Sequence, residues 1–369
     1  MSTQVSPNSL FEFAKIFPAP AEPASSLGRG LRVVCFGGGT GLSNLLRGLK
    51  HYADPSESDA APAPIERLTA VVAVTDDGGS SGRLRNELNV LPPGDIRNCL
   101  VALAEDEHLL SRMFQYRFAA GAGLEGHSFG NLFLAVMMHL TCDFVEAVRL
   151  TSTILGIRGH ILPASSVAAQ LGAEMRDGSF VVGECAITRS RAGIRRIKLI
   201  PSDAPAVPET LAAIAEADLI TLGPGSLYTS LNPNLLVPGI AEAIAASPAI
   251  KVFICNLMSQ PNETLGMTAA DHLEALQEHS GMNLFDTVLV NRAHFSPEMI
   301  ANYAVGGAAP VACDLPRLTA MQVRVIEGDY LSENSVARHD ADAVARDLIE
   351  LARTNRPAVV VPGGSTPQA

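Results

Sequence analysis

Five separated stretches of the chain combine glycine with small polar or charged residues in a way that suits an anionic ligand. The first, Gly37-Gly38-Gly39-Thr40-Gly41, follows a short apolar run and precedes Leu42, Leu45, Leu46 and Leu49 at helical spacing. Glycines let backbone approach a ligand with no Cβ in the way, and the free N–H groups of the helix that follows face the loop. The second is Asp76-Asp77-Gly78-Gly79-Ser80-Ser81-Gly82-Arg83. Here Gly78, Gly79, Ser80 and Ser81 form a further anion-binding loop, with Arg83 beside it. Asp76 and Asp77 are the candidate catalytic residues. Paired carboxylates next to phosphate oxygens also suit Mg²⁺, so the same two are the candidate metal ligands.

The third stretch is Pro92-Pro93-Gly94-Asp95-Ile96-Arg97-Asn98. Asp95 stands where an N-cap would, and Arg97 and Asn98 fall in the first helical turn, within reach of a ligand. In Gly126-His127-Ser128-Phe129-Gly130-Asn131, His127 suits a phosphate contact, a proton transfer or a structural role, and Asn131 opens the next helix. No acid marks a Ser-His catalytic pair. The fifth stretch, Gly223-Pro224-Gly225-Ser226, follows an apolar run, and Asn256 and Asn291 each end another. Gly37–Gly41 and Gly78–Gly82 would hold a diphosphate, Arg83 and Arg97 would offset its charge, and Asn131, Ser226 and Asn256 would contact the rest of the ligand. The glycines are not a dinucleotide fingerprint, because Leu42 takes the last glycine's place, and no Walker lysine is present. A nicotinamide dehydrogenase is therefore disfavoured.

The elements that must position these loops alternate. Apolar runs at 32–36, 69–74, 218–222, 251–255, 287–290 and 322–326 read as strands, and amphipathic helices follow at about 107–118, 128–140, 143–155, 238–246, 268–279 and 340–353. Strands apolar on both faces belong to a parallel sheet covered on both sides. Asp177-Gly178 between Leu171–Met175 and Phe180–Ile187 predicts a hairpin, with Arg195–Ile200 as a third strand. The expected fold is α/β: a Rossmann-like wound, mostly parallel sheet with helices on both faces and a small antiparallel insertion at about 165–205. Residues 1–30 read as a flexible leader, 31–335 as the nucleotide-binding domain, 336–369 as a C-terminal helix and polar tail, and 51–67 as an exposed loop.

The net charge of −11 over 369 residues disfavours nucleic acid. The N-terminus lacks a basic-then-apolar signal, and no apolar run is long enough to span a bilayer. Six scattered cysteines with no C-x-x-C pair read as buried, reduced thiols. Alanine-rich helix faces at 209–217 and 241–246 suit either core or contact between copies, which leaves a homo-oligomer open.

Read together, GGGTGLSNLLRGLK, TDDGGSSGRLRNEL, LPPGDIRNCL, FQYRF, GHSFGNL, RGHILPAS, ADLITLGPGSLYTS and CNLMSQPNET appear in this order from Gly37 onward. In these strings the chain resembles the gluconeogenesis factor family (YvcK-like), within the CofD-like (2-phospho-L-lactate transferase) superfamily. Thr75 stands where the family more often has Ala, and Asn262 where Gly is usual. The resemblance implies a cytoplasmic bacterial protein that binds a UDP-sugar such as UDP-N-acetylglucosamine. It also implies regulation of carbon metabolism, cell-wall synthesis and cell shape under gluconeogenic growth. The alternative it implies is a transferase of deazaflavin cofactor synthesis, acting on a guanosine diphosphate-linked lactate.

Overall fold

A computed structural model describes residues 29–53, 64–105, 109–332 and 336–355. The leader over 1–28, most of the 51–67 loop and the polar tail lie outside the described residues. The strands are β1 (Leu31–Gly37), β2 (Ile65–Val72), β3 (His160–Pro163), β4 (Gln170–Met175), β5 (Phe180–Val182), β6 (Ile194–Ile200), β7 (Leu219–Leu222), β8 (Ile250–Ile254), β9 (Thr287–Asn291) and β10 (Arg324–Gly328). Seven of them make one sheet in the order β10-β9-β8-β7-β1-β2-β3, and every pairing in it is parallel. The chain winds outward from β1 to β3, then returns to the other side of β1 at β7. The order therefore reverses between β1 and β7, and ligands of open α/β sheets gather at the carboxyl ends of such a pair.

Alternation along β1 explains the layers. Val34 and Phe36 enter the core on one face of the sheet, and Leu31, Val33 and Cys35 enter the core on the other. Helix α1 (Gly39–Lys50) seals the second face with Leu42, Leu45, Leu46 and Leu49, all essentially inaccessible. Each such leucine contributes about 1.5–3 kcal/mol of burial. The last helix, Ala341–Thr354, packs Val344, Leu348 and Leu351 into the same core.

Further helices are α2 (Gly79–Leu88), α3 (Gly94–Leu103), α4 (Leu109–Gln115), α5 (Phe129–Thr141), α6 (Phe144–Leu155) and α7 (Glu184–Arg189). Strands β4, β5 and β6 form the antiparallel sheet, in the order β5-β4-β6. The expected turn closes it, with Asp177 accepting from the Ser179 N–H at 2.9 Å.

Four readings need correction. The strand expected over Phe180–Ile187 stops at Val182. Gly183 turns there at φ +100, and α7 begins, anchored by the Cys185 N–H donating to Asp77 at 2.9 Å. The stretch read as a second glycine loop is instead the first turns of α2. Asp95 is not an N-cap, because α3 begins at Gly94 with Pro93 before it. All six cysteines are free, but only Cys35, Cys99 and Cys255 are buried. Cys142 is exposed on a left-handed helix end. Among the described residues no helix is long and apolar enough to cross a membrane.

Candidate functional site

A cavity of about 1000 Å³ opens at the carboxyl ends of β1 and β7. That is the upper end of the range for small-molecule sites. One wall is the glycine loop and the start of α1, where Gly38, Gly39, Thr40 and Gly41 are joined by Asn44 and Arg47. The facing wall is Pro224, Gly225 and Ser226 after β7. The two backbones touch at Gly41: a Cβ there would lie 2.8 Å from the Pro224 carbonyl carbon and closer still to its oxygen. A side chain at this point would separate the walls.

Residues after β8 brace the second wall. The Gly225 N–H donates to Asn256 Oδ1 at 3.1 Å, and Asn256 Nδ2 donates back to the Gly225 carbonyl at 2.8 Å. Gln260 Nε2 donates to Ser226 Oγ at 2.8 Å. The Asn256 amide thus lines the cavity while both its polar atoms hold the loop.

Arg97 enters from the first turn of α3. Its Nη1 donates to Ser128 Oγ at 2.6 Å and to Asn131 Oδ1 at 3.0 Å, and its Nη2 donates to Asn98 Oδ1 at 2.7 Å. Its Nε is buried without a partner. Three side chains therefore fix the guanidinium and use both Nη1 donors, so its charge is held in place with one Nη2 N–H to spare for an oxyanion. Arg47, Arg117 and Arg338 also line the cavity.

Three carboxyl groups share this space: Asp76, Asp95 and Glu184. Asp95 accepts a hydrogen bond from the Gly39 backbone N–H. Burial and the neighbouring Asp76 nonetheless raise it to about 6. Glu184 is raised further, to about 9, by burial and then by Asp76, Asp95, Asp77 and Glu263. The like charges cannot all ionise at neutral pH, so the acid side of the cavity retains a proton.

Of the residues singled out from sequence, Gly38, Gly39, Thr40, Gly41, Asp76, Asp95, Arg97, Asn98, Gly225, Ser226 and Asn256 line this one cavity. Gly37 lies just behind, as the last residue of β1. The remainder do not line it. Asp76 accepts from the Gly78 N–H at 2.8 Å, whereas Asp77 turns to the insertion and holds Cys185. The paired acids therefore do not present their carboxylates to a shared ion. Among the described residues no group of three or more His, Cys, Asp or Glu is arranged to hold a metal.

Gly79 is exposed, while Ser80 and Ser81 are buried in α2. Ser80 Oγ is hydrogen-bonded to His127 Nδ1 at 2.9 Å, and burial with the nearby Arg83 lowers the His127 pKa. Arg83 donates to the carbonyls of Glu125 and Gly123 at 2.6 and 3.0 Å, and so fixes the loop before α5. Asn131 acts on the cavity through Arg97.

Sequence reasoning missed the far end of the cavity. Met258, Tyr303, Arg338 and His339 line it. Tyr303 Oη accepts from the Ala337 N–H at 3.2 Å, and Asn44 Nδ2 donates to the His339 carbonyl at 2.7 Å, which ties this segment to α1. Glu184, Gln115 and Arg117 were also missed, although FQYRF lies among the strings that carry the resemblance.

A doubly wound parallel sheet with glycine loops and arginines around a switch-point cavity defines a Rossmann-type ligand-binding protein. The family profile of 2-phospho-L-lactate transferase CofD matches residues 33–331, and the chain belongs to that family. It is 49% identical over 326 residues to the gluconeogenesis factor of Bacillus subtilis, across 88% of this chain and 99% of that one. The gluconeogenesis factor of Halalkalibacterium halodurans is 49% identical over 320 residues, across 86% and 95%. A crystal structure of a UPF0052 family member from Bacillus halodurans superposes with a TM-score of 0.82 at 48% identity, covering 87% of this chain and 99% of that one.

Proposed function

We propose that the cavity binds a UDP-sugar such as UDP-N-acetylglucosamine, and that the protein is a cytoplasmic regulator of carbon metabolism, cell-wall synthesis and cell shape under gluconeogenic growth. The observation that carries this reading is the facing of two glycine-containing walls, Gly38–Gly41 and Pro224–Ser226, at the sheet's switch point beside a fixed Arg97. Backbone N–H groups at the start of α1 suit a diphosphate. The four lining arginines offset its charge against the three acids. The volume accommodates a nucleotide-sugar, and relatives bearing the name gluconeogenesis factor support the regulatory role. Titration calorimetry with UDP-N-acetylglucosamine tests it. No heat and no thermal shift at millimolar ligand would remove it.

A second reading is favoured by Asp76 and Asp95, acids that a simple anion binder does not need. On that reading the protein is a phospholactate transferase-type enzyme in which Asp76 and the substrate's phosphate oxygens hold Mg²⁺. Such transfer depends on positioning and charge neutralisation. Turnover of guanosine diphosphate-linked lactate with a deazaflavin acceptor, lost in Asp76→Asn, would establish it.

A further inference from the structure

The antiparallel insertion carries a charge opposite to that of the chain. Residues 170–200 hold six cations (Arg176, Arg189, Arg191, Arg195, Arg196 and Lys198) against three acids, in a chain whose net charge is −11. All six cations are exposed. Lys198 pairs with Glu174 at 3.8 Å. Arg189, Arg191, Arg195 and Arg196 have no ion pair among the described residues.

Register shows what accompanies them. Gly172 pairs with both Val182 and Lys198, and Glu174 with both Phe180 and Arg196, so these side chains share one face of the small sheet. The opposite face, with Leu171, Ala173, Ile197 and Leu199, is buried in the core. On the outer face Phe180 is 46% and Val182 44% exposed, beside Arg196 and Lys198. The Phe180 ring lies on Gly172, where a Cβ would meet it at 2.7 Å, and Lys198 Nζ stands 4.4 Å from its centroid. The ring thus lies across Gly172 with the Lys198 ammonium over it.

From this juxtaposition of Arg196 and Lys198 with Phe180 and Val182 on one open sheet face, in an insertion that also exposes Arg189, Arg191 and Arg195, we propose that the insertion docks on an anionic phospholipid surface. Guanidinium forks match phosphate oxygens, and a bilayer interface takes up both cations and apolar side chains. The acidic remainder does not prevent docking. A domain of this size has a radius of gyration of about 20 Å, and charges more than about 8 Å away are screened at physiological salt. The inference is independent of what the cavity binds.

Co-sedimentation of the full chain with vesicles tests it, using phosphatidylcholine alone or with about one third phosphatidylglycerol. The chain binds the anionic vesicles, more weakly as salt rises, and not the neutral ones. Each cation near an anionic surface strengthens binding roughly fivefold. The combined Arg191→Ser, Arg195→Ser and Arg196→Ser variant, checked for an unchanged Tm, then binds about a hundredfold more weakly. Glu174→Gln binds more tightly, a gain that misfolding would not give. Equal binding to both vesicle types, binding to neither, an unaffected triple variant, or capture by polyglutamate without vesicle binding would each overturn the proposal.

Discussion

Gly41→Ala tests whether the cavity depends on contact between its two walls. The added methyl would stand 2.8 Å from the Pro224 carbonyl carbon and 3.2 Å from Gly225 Cα. Unstrained carbon contacts lie at about 3.5–4.0 Å. No side chain can rotate away, because both neighbours are backbone, and the Gly225 loop is itself pinned by Asn256. Helix α1 and the loop must separate by roughly 1 Å to restore contact distance. Overpacking of this kind costs about 1–3 kcal/mol. With rigid backbone on both sides the upper figure applies, and Tm falls by roughly 4–5 °C for a fold of this size. The same displacement opens the walls, so affinity for UDP-N-acetylglucosamine drops at least about tenfold if the proposed function holds. Gly79→Ala is the control. Gly79 sits at φ +46 with nothing within 4 Å of the added methyl, and it does not line the cavity. It loses about 1–2 kcal/mol to left-handed strain, with affinity unchanged. Thermal unfolding and calorimetry read both effects. A Gly41→Ala protein that melts and binds as the wild type does would refute the wall-contact argument, and the Tm arm stands whatever the ligand proves to be.

Arg97→Lys keeps the charge but loses the fork held by Ser128, Asn131 and Asn98; calorimetry should show affinity weakened about tenfold or more, and Tm should fall as well, because the buried Ser128 and Asn131 lose a donor. Burial lowers His339 from 6.5 to about 4, with its ring nitrogen 3.1 Å from the Cys255 carbonyl. The native state therefore prefers the neutral ring, and the stability this contributes is full above about pH 6.5 and drains as pH falls toward 4. Between pH 7 and 5 about 2 kcal/mol is lost, and His339→Gln should show that much less acid sensitivity in denaturant titrations. Glu184 has the opposite sign: its pKa is raised to about 9, so its ionised form costs stability as pH rises from 4.5. The Tm advantage of Glu184→Gln should grow from pH 5 to 9 in the absence of ligand, and a flat difference would show that the group is not titrating in the fold. Asn262 holds φ +64 and donates to the Thr188 carbonyl at 3.1 Å; Asn262→Ala should cost about 1–2 kcal/mol, while Asn262→Gly should cost less, because glycine is unstrained there.

The large sheet was legible because its strands are apolar on both faces, a pattern that few other structures produce. Strand β3 was not, since His160-Ile161-Leu162-Pro163 is four residues ending in proline. Its place is set by pairing with β2, a tertiary fact. Helix α2 was hidden for another reason. Gly79 and Gly82 are poor helix formers, but Gly82 packs directly on the Asp77 carbonyl, where no side chain fits. The switch from strand to helix at Gly183 depends on Asp77, a residue 106 positions earlier whose carboxylate receives the Cys185 N–H. The Phe180–Ile187 window contains no sign of that partner.

The site divides along the same line. Loops on glycine and proline announce themselves locally, whereas Tyr303, Arg338 and His339 are single polar residues on a helix and a connecting segment. Only the order of β8, β9 and β10 beside β7 brings them over the cavity. This sharpens what the glycines can be asked to prove. Gly41 is explained completely by its contact with Pro224, and Gly82 by its contact with Asp77, with no ligand involved. A glycine forced by backbone contact reports packing, so the ligand argument cannot draw on Gly41 or Gly82. Its weight falls on Gly39, whose φ of +58 and open surroundings have no packing cause. It falls equally on Arg97, a guanidinium braced by three side chains and facing open space. Substituting these two should remove binding with less damage to the fold than Gly41→Ala, and that ordering separates a binding wall from a packing seam.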